Sequence, residues 1–301
     1  MAKLEFGKNS PDTPVNELNV NMSNALVRAA HGLTLAEKRV VSVCIAKTDS
    51  VRQNKEGYRF KLTADEFAET FDVDTNTAYE QMVFAGDNLM KRIAKKIEKG
   101  KSGNIVEHKW NWMSAVIYHH GEGWIELEFS HYMTPHLTLL RQQFTSYKLK
   151  QASDLRSIYS WRLFELLMQF KTTGVLHIDI GEFCHAMEAP ESAVKDFAQL
   201  RKRIIEPAVA ELKAKNGMDI EWAAKRQGGR KINALEFVFL KQPRPAPPAT
   251  DSIPAKKARK PGGRTIYGVT IADIEKLALA GESYETAAAR IANNRKLGLS
   301  G

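Results

Sequence analysis

The amino-acid sequence predicts an α+β fold: two tandem winged-helix (helix-turn-helix) domains, followed by a disordered basic linker and a small helical C-terminal tail. Three observations carry this expectation. Residues 157–240 run helix, strand, helix, turn, helix, hairpin; part of that run repeats faintly earlier in the chain; and the third helix of the set has one face made of hydrogen-bond donors.

The set opens with the amphipathic stretch SIYSWRLFELLMQF and a short strand. It continues through IGEFCHAM and ESAVKDFAQLRKRIIEPAVAELK to two extended segments around the basic turn RQGGRK. In a winged helix the third helix enters a DNA groove and the hairpin lies over the neighbouring backbone. At about 100° per residue, Val194, Phe197, Ala198, Ile204, Ile205, Val209 and Leu212 fall on one side, and Ser192, Lys195, Gln199, Lys202 and Arg203 on the other. Lys and Arg suit phosphate oxygens and guanine edges, and Gln suits adenine. A solvated mixed-charge face is the plain alternative. Against it, acids are sparse on this side, with Asp196 at its edge and Glu206 near its end, and the turn adds Arg226, Arg230 and Lys231 around Gly228 and Gly229. Arg201 is kept in the DNA-binding set although its spacing aims it toward the packed stripe, where it would serve an internal ion pair.

Residues 61–73 laid over residues 177–189 match Leu62 with Ile178, Glu66 with Glu182, Phe67 with Phe183, Ala68 with Cys184 and Phe71 with Met187. The same offset carries Leu89 onto Ile205 and Ile93 onto Val209, so the chain reads as one module used twice. The first copy starts with helices over residues 23–47, broken near Gly32, the second of them capped by Thr34 with Glu37 three residues on. The strand YRFKL, the helix TADEFAETF and a long helix over residues 77–99 follow. WNWMSAVIYHH and GWIELEFSH then form a hairpin in which Ile125, Leu127 and Phe129 alternate with Glu126 and Glu128. Those glutamates repel phosphate, which leaves this module to pack on a second copy or on its sister while its lysines touch backbone. Trp110, Trp112 and Trp124 read either as a protein interface or as half-buried sheet residues.

Charge and length exclude several classes. The 301 residues suffice for two domains, and 44 basic against 35 acidic residues give +9, which favours a polyanionic partner. No apolar run approaches a membrane span and the first residues lack a signal-peptide core, so a cytoplasmic protein with no membrane partner is expected. Cys44 and Cys184, the two cysteines, each sit in an apolar helical pattern and read as buried thiols; Cys184 beside His185 is too little for a metal site. His119 and His120 are adjacent and on a strand point to opposite faces, which fails the geometry of a tyrosine nicking enzyme. No carboxylate pair, Walker loop or serine elbow is present, so no catalytic residue, metal or cofactor is expected.

Residues 136–167, HLTLLRQQFTSYKLKQASDLRSIYSWRLFELL, resemble the hallmark of the Rep_3 family of plasmid replication initiators. Residues 195–237 resemble that family's recognition helix and wing. The likeness covers residues 23–240 and is most specific at Ser157, Tyr159, Ser160, Arg162, Phe164, Glu165, Leu166 and Leu167, with Trp161 standing where an aliphatic residue is expected. It implies a non-enzymatic protein that binds direct repeats (iterons) in duplex DNA at an origin as a monomer and helps open the adjacent duplex. It also implies recruitment of the host replication initiator and replicative helicase, and, as a homodimer in equilibrium with the monomer, repression of its own promoter at an inverted repeat. On this likeness Lys195, Gln199, Arg201, Lys202 and Arg203 read the groove. A tandem winged-helix transcriptional regulator would share the DNA surface without the initiator role.

The expected boundaries are a flexible N-terminal arm at 1–22, a first winged helix at 23–135 for dimerisation and backbone contacts, and a second at 136–240 for specific reading. A proline-rich basic linker at 241–264 and a helical tail at 265–301 complete the chain. The tail reads as two short helices broken at Gly281 and sharing the apolar set Ile271, Ile274, Leu277, Ala278, Tyr284, Ala287, Ala288 and Ile291, poised to dock on a partner.

Overall fold

A computed structural model describes residues 13–50, 58–100, 102–140, 143–226 and 232–239, and, in a separate unit, residues 265–266, 269–270, 273, 277 and 284–296. Both modules lie in the first unit and share one apolar core.

The first module begins with β1 (Asn19–Ser23), α1 (Asn24–Arg28) and α2 (Leu35–Lys47). The arm expected at 1–22 therefore stops short, because Val20 and Met22 alternate into the core, and β1 pairs antiparallel with a strand far along the chain, Phe144–Lys148. That partner lies beyond the 135/136 boundary drawn from sequence. Thr34 and Glu37 form the expected capping box. Next come β2 (Arg59–Thr63), α3 (Ala64–Phe71) and α4 (Thr75–Leu89). Thr63 and Glu66 cap α3 reciprocally, and the Asp74 carboxylate caps α4 through Asn76 N–H at 2.9 Å.

The long helix expected over 77–99 instead ends at Leu89, and residues 93–99 form β3 (Ile93–Lys99), paired with β4 (Ile105–Asn111). The isoleucines at 93 and 97 have helical spacing, but the backbone of Lys95 exchanges hydrogen bonds with Ala30 at 2.8 and 3.0 Å, a partner that local pattern does not reveal. The expected match of Ile93 to Val209 fails with it, since Ile93 is partly exposed on a strand and Val209 is buried on a helix. The module closes with the expected hairpin, β5 (Met113–His119) and β6 (Trp124–Phe129), then α5 (Thr134–Leu137), β7 (Phe144–Lys148) and α6 (Lys150–Ser153). Trp112 is wholly buried and donates to His31 O at 3.2 Å, while Trp124 is half-buried under the Lys61 ammonium, so these two tryptophans serve the module's own packing.

The second module runs α7 (Ile158–Met168), β8 (Val175–Asp179), α8 (Ile180–Met187), α9 (Glu191–Lys195), α10 (Phe197–Leu200), a π turn (Arg201–Ile205), α11 (Glu206–Asn216), β9 (Glu221–Lys225) and β10 (Ala234–Val238). Its sheet order β8-β10-β9 repeats the order β2-β6-β5 of the first module. The repeat extends to backbone detail: Asp72 ends α3 at φ 50° and Glu188 ends α8 at φ 51°, at matched positions. Both cysteines are buried, and burial raises the Cys44 thiol to about 12.

Polar groups in a dry setting fix α7 and the junction around it. Lys38 on α2 and Glu165 on α7 form an ion pair at 2.7 Å with side chains 0% and 1% exposed, and Tyr147 Oη donates to the same carboxylate at 2.7 Å. The buried Arg162 guanidinium donates to Ala29 O at 2.6 Å and to Ala186 O. Glu188 accepts from Gly32 N–H at 2.6 Å, tying the first module's loop to the turn that launches α9.

In the separate unit, β11 (Thr265–Ile266) pairs with β12 (Val269–Thr270) and a helix spans Tyr284–Lys296. Val269, Ala287, Ala288 and Ile291 pack together, which keeps the last three of the expected apolar set, whereas Leu277 is 37% exposed. Ile271, Ile274, Ala278 and the linker at 241–264 lie outside the described residues.

Candidate nucleic-acid interface

The third helix of the second module is built from three pieces, and each junction has a cause. Asp196 leaves helical geometry at φ −128°, ψ 108°, ends α9, and caps α10 through its carboxylate and Ala198 N–H at 2.8 Å. Downstream, Pro207 lacks an N–H and its ring would strike the Arg203 carbonyl in a regular α-helix. The π turn over Arg201–Ile205 accommodates it by one extra residue, which rotates α10 by about 100° relative to α11.

That rotation decides which residues face out. Ile204, Ile205, Ala208, Val209 and Leu212 are buried as expected, but upstream the buried residues are Ala193 and Leu200. Val194 and Ala198, expected on the packed side, are exposed, Val194 to 55%. Arg201 is likewise corrected: it is exposed and meets Glu206 at 3.3 Å on the surface instead of pairing inside.

Ser192, Lys195, Lys202 and Arg203 are exposed as expected and Gln199 is half-exposed. Lys195 pairs with Glu191 one turn away, both largely in solvent, a contact worth only about 0.3–0.5 kcal/mol and readily exchanged for a phosphate. The wing is joined to this helix by rings, Phe197 to Trp222 and Trp222 to Phe237, each with centroids 6.5 Å apart. Arg226 is exposed where the wing begins; Arg230 and Lys231 lie outside the described residues.

The first module's counterpart, α4, offers no such surface. Where the second module has Lys202 and Arg203, it has Gly86 and Asp87. Gly86 lets β5 close over the helix: a Cβ there would meet Tyr118 Oη at 2.8 Å and Val116 Cγ1 at 3.0 Å, and Tyr118 donates to Asp87 at 2.6 Å. Glu126 and Glu128 share Arg59 at 3.7 and 2.9 Å, and its guanidinium holds the Glu128 carboxyl below its usual range. One module thus presents an uncovered cationic helix, and the other a helix that carries Glu80 and Asp87 with no Lys or Arg and is closed over by β5 at Gly86. Among the described residues no group of histidines, cysteines and carboxylates could hold a metal, and no helix is long and apolar enough to cross a membrane.

A family model described as Initiator Replication protein, WH1, matches residues 19–168, and one described as Initiator Rep protein, WH2, matches residues 179–239. The chain belongs to this family of replication initiators. The PI protein of Escherichia coli is 25% identical over 254 residues, covering 75% of this chain and 81% of that one. An uncharacterized 27.6 kDa protein of Escherichia coli is 26% identical over 221 residues, covering 70% of this chain and 92% of its own length. The solved structure of the Pi initiator protein in complex with iteron DNA shares the fold, with a TM-score of 0.63 at 23% identity over 75% of this chain and 99% of that chain. In this initiator the uncovered cationic helix belongs to WH2 and the covered one to WH1.

The signals for the exposure of Val194 and Ala198 are Asp196, a capping residue that breaks the helix between them, and Pro207, since a proline inside a helical pattern interrupts its phase.

Proposed function

We propose that this protein initiates plasmid replication by binding origin iterons as a monomer through WH2, promotes opening of the adjacent duplex, and engages the host initiator and replicative helicase. As a homodimer through WH1 it binds an inverted repeat at its own promoter and represses it. The observation that carries the DNA-binding part is the exposed set Ser192, Lys195, Lys202 and Arg203, with Gln199 half-exposed among them, on a helix-turn-helix third helix, against Gly86 under a strand and the acidic Asp87 in WH1. Lysine and arginine there meet phosphate and guanine, the wing follows the backbone, and recognition without bond cleavage is the output.

Footprinting the purified protein on DNA flanking its own gene tests the reading. Direct repeats protected at regular spacing support it, and absence of any protected site overturns it. Lys202→Ala or Arg203→Ala weakens repeat binding: a phosphate contact lowers the salt slope by about one unit, and a base contact costs roughly 1–3 kcal/mol at one position. An origin plasmid that replicates only when the gene is supplied separates the initiator from a transcriptional regulator with the same DNA surface.

A further inference from the structure

The π turn has a consequence for which base pairs the WH2 helix selects. Without it, Ala198 and Arg201 would continue the buried line of Ile205, Val209 and Leu212; with it, both face solvent, and Val194 faces solvent on the far side of the break at Asp196. Ala198 lies on the same exposed side as Lys195 and Lys202, and Val194 stands beside Lys195 in the first helical turn after the turn at Glu188. In WH1 the buried alanine of the first turn is Ala78, as Ala193 is in WH2, so Val194 stands where WH1 has the half-buried Tyr79 and is the more exposed of the two. Its exposure follows from the break and cap at Asp196, and that of Ala198 from the π turn before Pro207.

Apolar side chains on a groove-facing helix have one apolar counterpart on the base edges of the major groove, the C5-methyl group of thymine. Lysine and arginine recognise phosphate and guanine, and Gln199 recognises adenine; none of them senses that methyl. The N-terminal part of a recognition helix is also where base edges are read. From these placements we infer that Val194 and Ala198 are specificity-determining residues that contact thymine methyls, selecting T·A pairs within the repeat. The inference rests on the proposed role of the WH2 helix as the DNA-facing element.

The test selects duplexes from a randomised pool with the full-length protein, then resynthesises the winner with 2′-deoxyuridine replacing each thymidine in turn. That change removes the methyl and leaves base pairing intact. One or two positions lose affinity about fourfold, the effect of unburying one methyl. Val194→Ala binds the thymidine duplex about fourfold more weakly and is insensitive to deoxyuridine at one of those positions, whereas Val194→Ile keeps the sensitivity. If a sequence is selected and every deoxyuridine duplex binds as the parent does, the methyl reading is overturned while the WH2 helix stands as the reader. If no sequence is selected and Lys202→Ala binds like the wild type, the proposed function falls and this inference with it.

Discussion

Replacing Glu165 by Gln removes the negative half of the buried ion pair that ties α2 to α7, and the structure sets the size of the effect. The Lys38 ammonium and the Glu165 carboxylate are 2.7 Å apart with side chains 0% and 1% exposed, so neither has water to fall back on. Breaking a buried pair from one side leaves an uncompensated charge, at a cost of about 3–5 kcal/mol. With m near the top of its ~1–3 kcal/mol/M range, the urea midpoint of the main unit drops by about 1–2 M. Burial already lowers the Lys38 pKa, and loss of the carboxylate lowers it further. The unfolded Glu165→Gln chain then holds a proton that the folded one has shed, so the variant gains stability as pH rises toward the unfolded lysine pKa of about 10.4. Lys38→Met added to Glu165→Gln leaves an acceptor for Tyr147 and no unpaired charge at positions 38 and 165, while Arg162 keeps its two carbonyl partners, and stability recovers to within about 2 kcal/mol of wild type. A single variant within about 1 kcal/mol of wild type, or a double variant no more stable than the single, would refute this account.

Gly86→Ala drives a methyl into Tyr118 Oη and Val116 Cγ1; about 1–3 kcal/mol of overpacking outweighs the gain of about 1 kcal/mol in helix propensity, and the thermal midpoint falls. Adding Tyr118→Phe removes the nearest atom and restores part of the loss, while DNA affinity stays within about twofold because the WH2 helix is untouched. His31 is wholly buried against Trp112, with Nε2 2.6 Å from Leu26 O. Burial, with help from Arg162 and Lys38, holds its pKa well below the ordinary value. The folded chain keeps it neutral while the unfolded chain protonates below about pH 6.5. Its contribution is complete above that pH and falls by up to about 1.4 kcal/mol per unit below it. In His31→Gln the slope of stability against pH between about 6.5 and 5 flattens by that amount, and an unchanged slope would locate the proton uptake elsewhere.

Much of this architecture is written locally. The capping box at Thr34 and Glu37, the alternation of Ile125, Leu127 and Phe129, and the match of residues 61–73 to 177–189 each reflect forces acting within a few residues, and each appears where expected. The bias of lysine and arginine toward one side of the WH2 helix was legible for the same reason, and Ser192, Lys195, Lys202 and Arg203 are exposed. Arg201 and Ala198 fall on the exposed side because one proline, four residues past the polar set, changes the phase of the turn before it, and Val194 because the helix breaks at Asp196.

The sequence by itself determined the class: two copies of a helix-strand hairpin unit, one of them cationic on its third helix. Tertiary structure alone decided that residues 19–23 are a core strand, since the partner strand stands more than a hundred residues away. It also decided that residues 93–99 leave the helix, that Gly86 lets a strand cover the WH1 helix, and that Lys38 finds Glu165. Propensity and periodicity measure what a segment prefers against water; a backbone hydrogen bond or a buried charge is settled by whichever distant group arrives to pair with it.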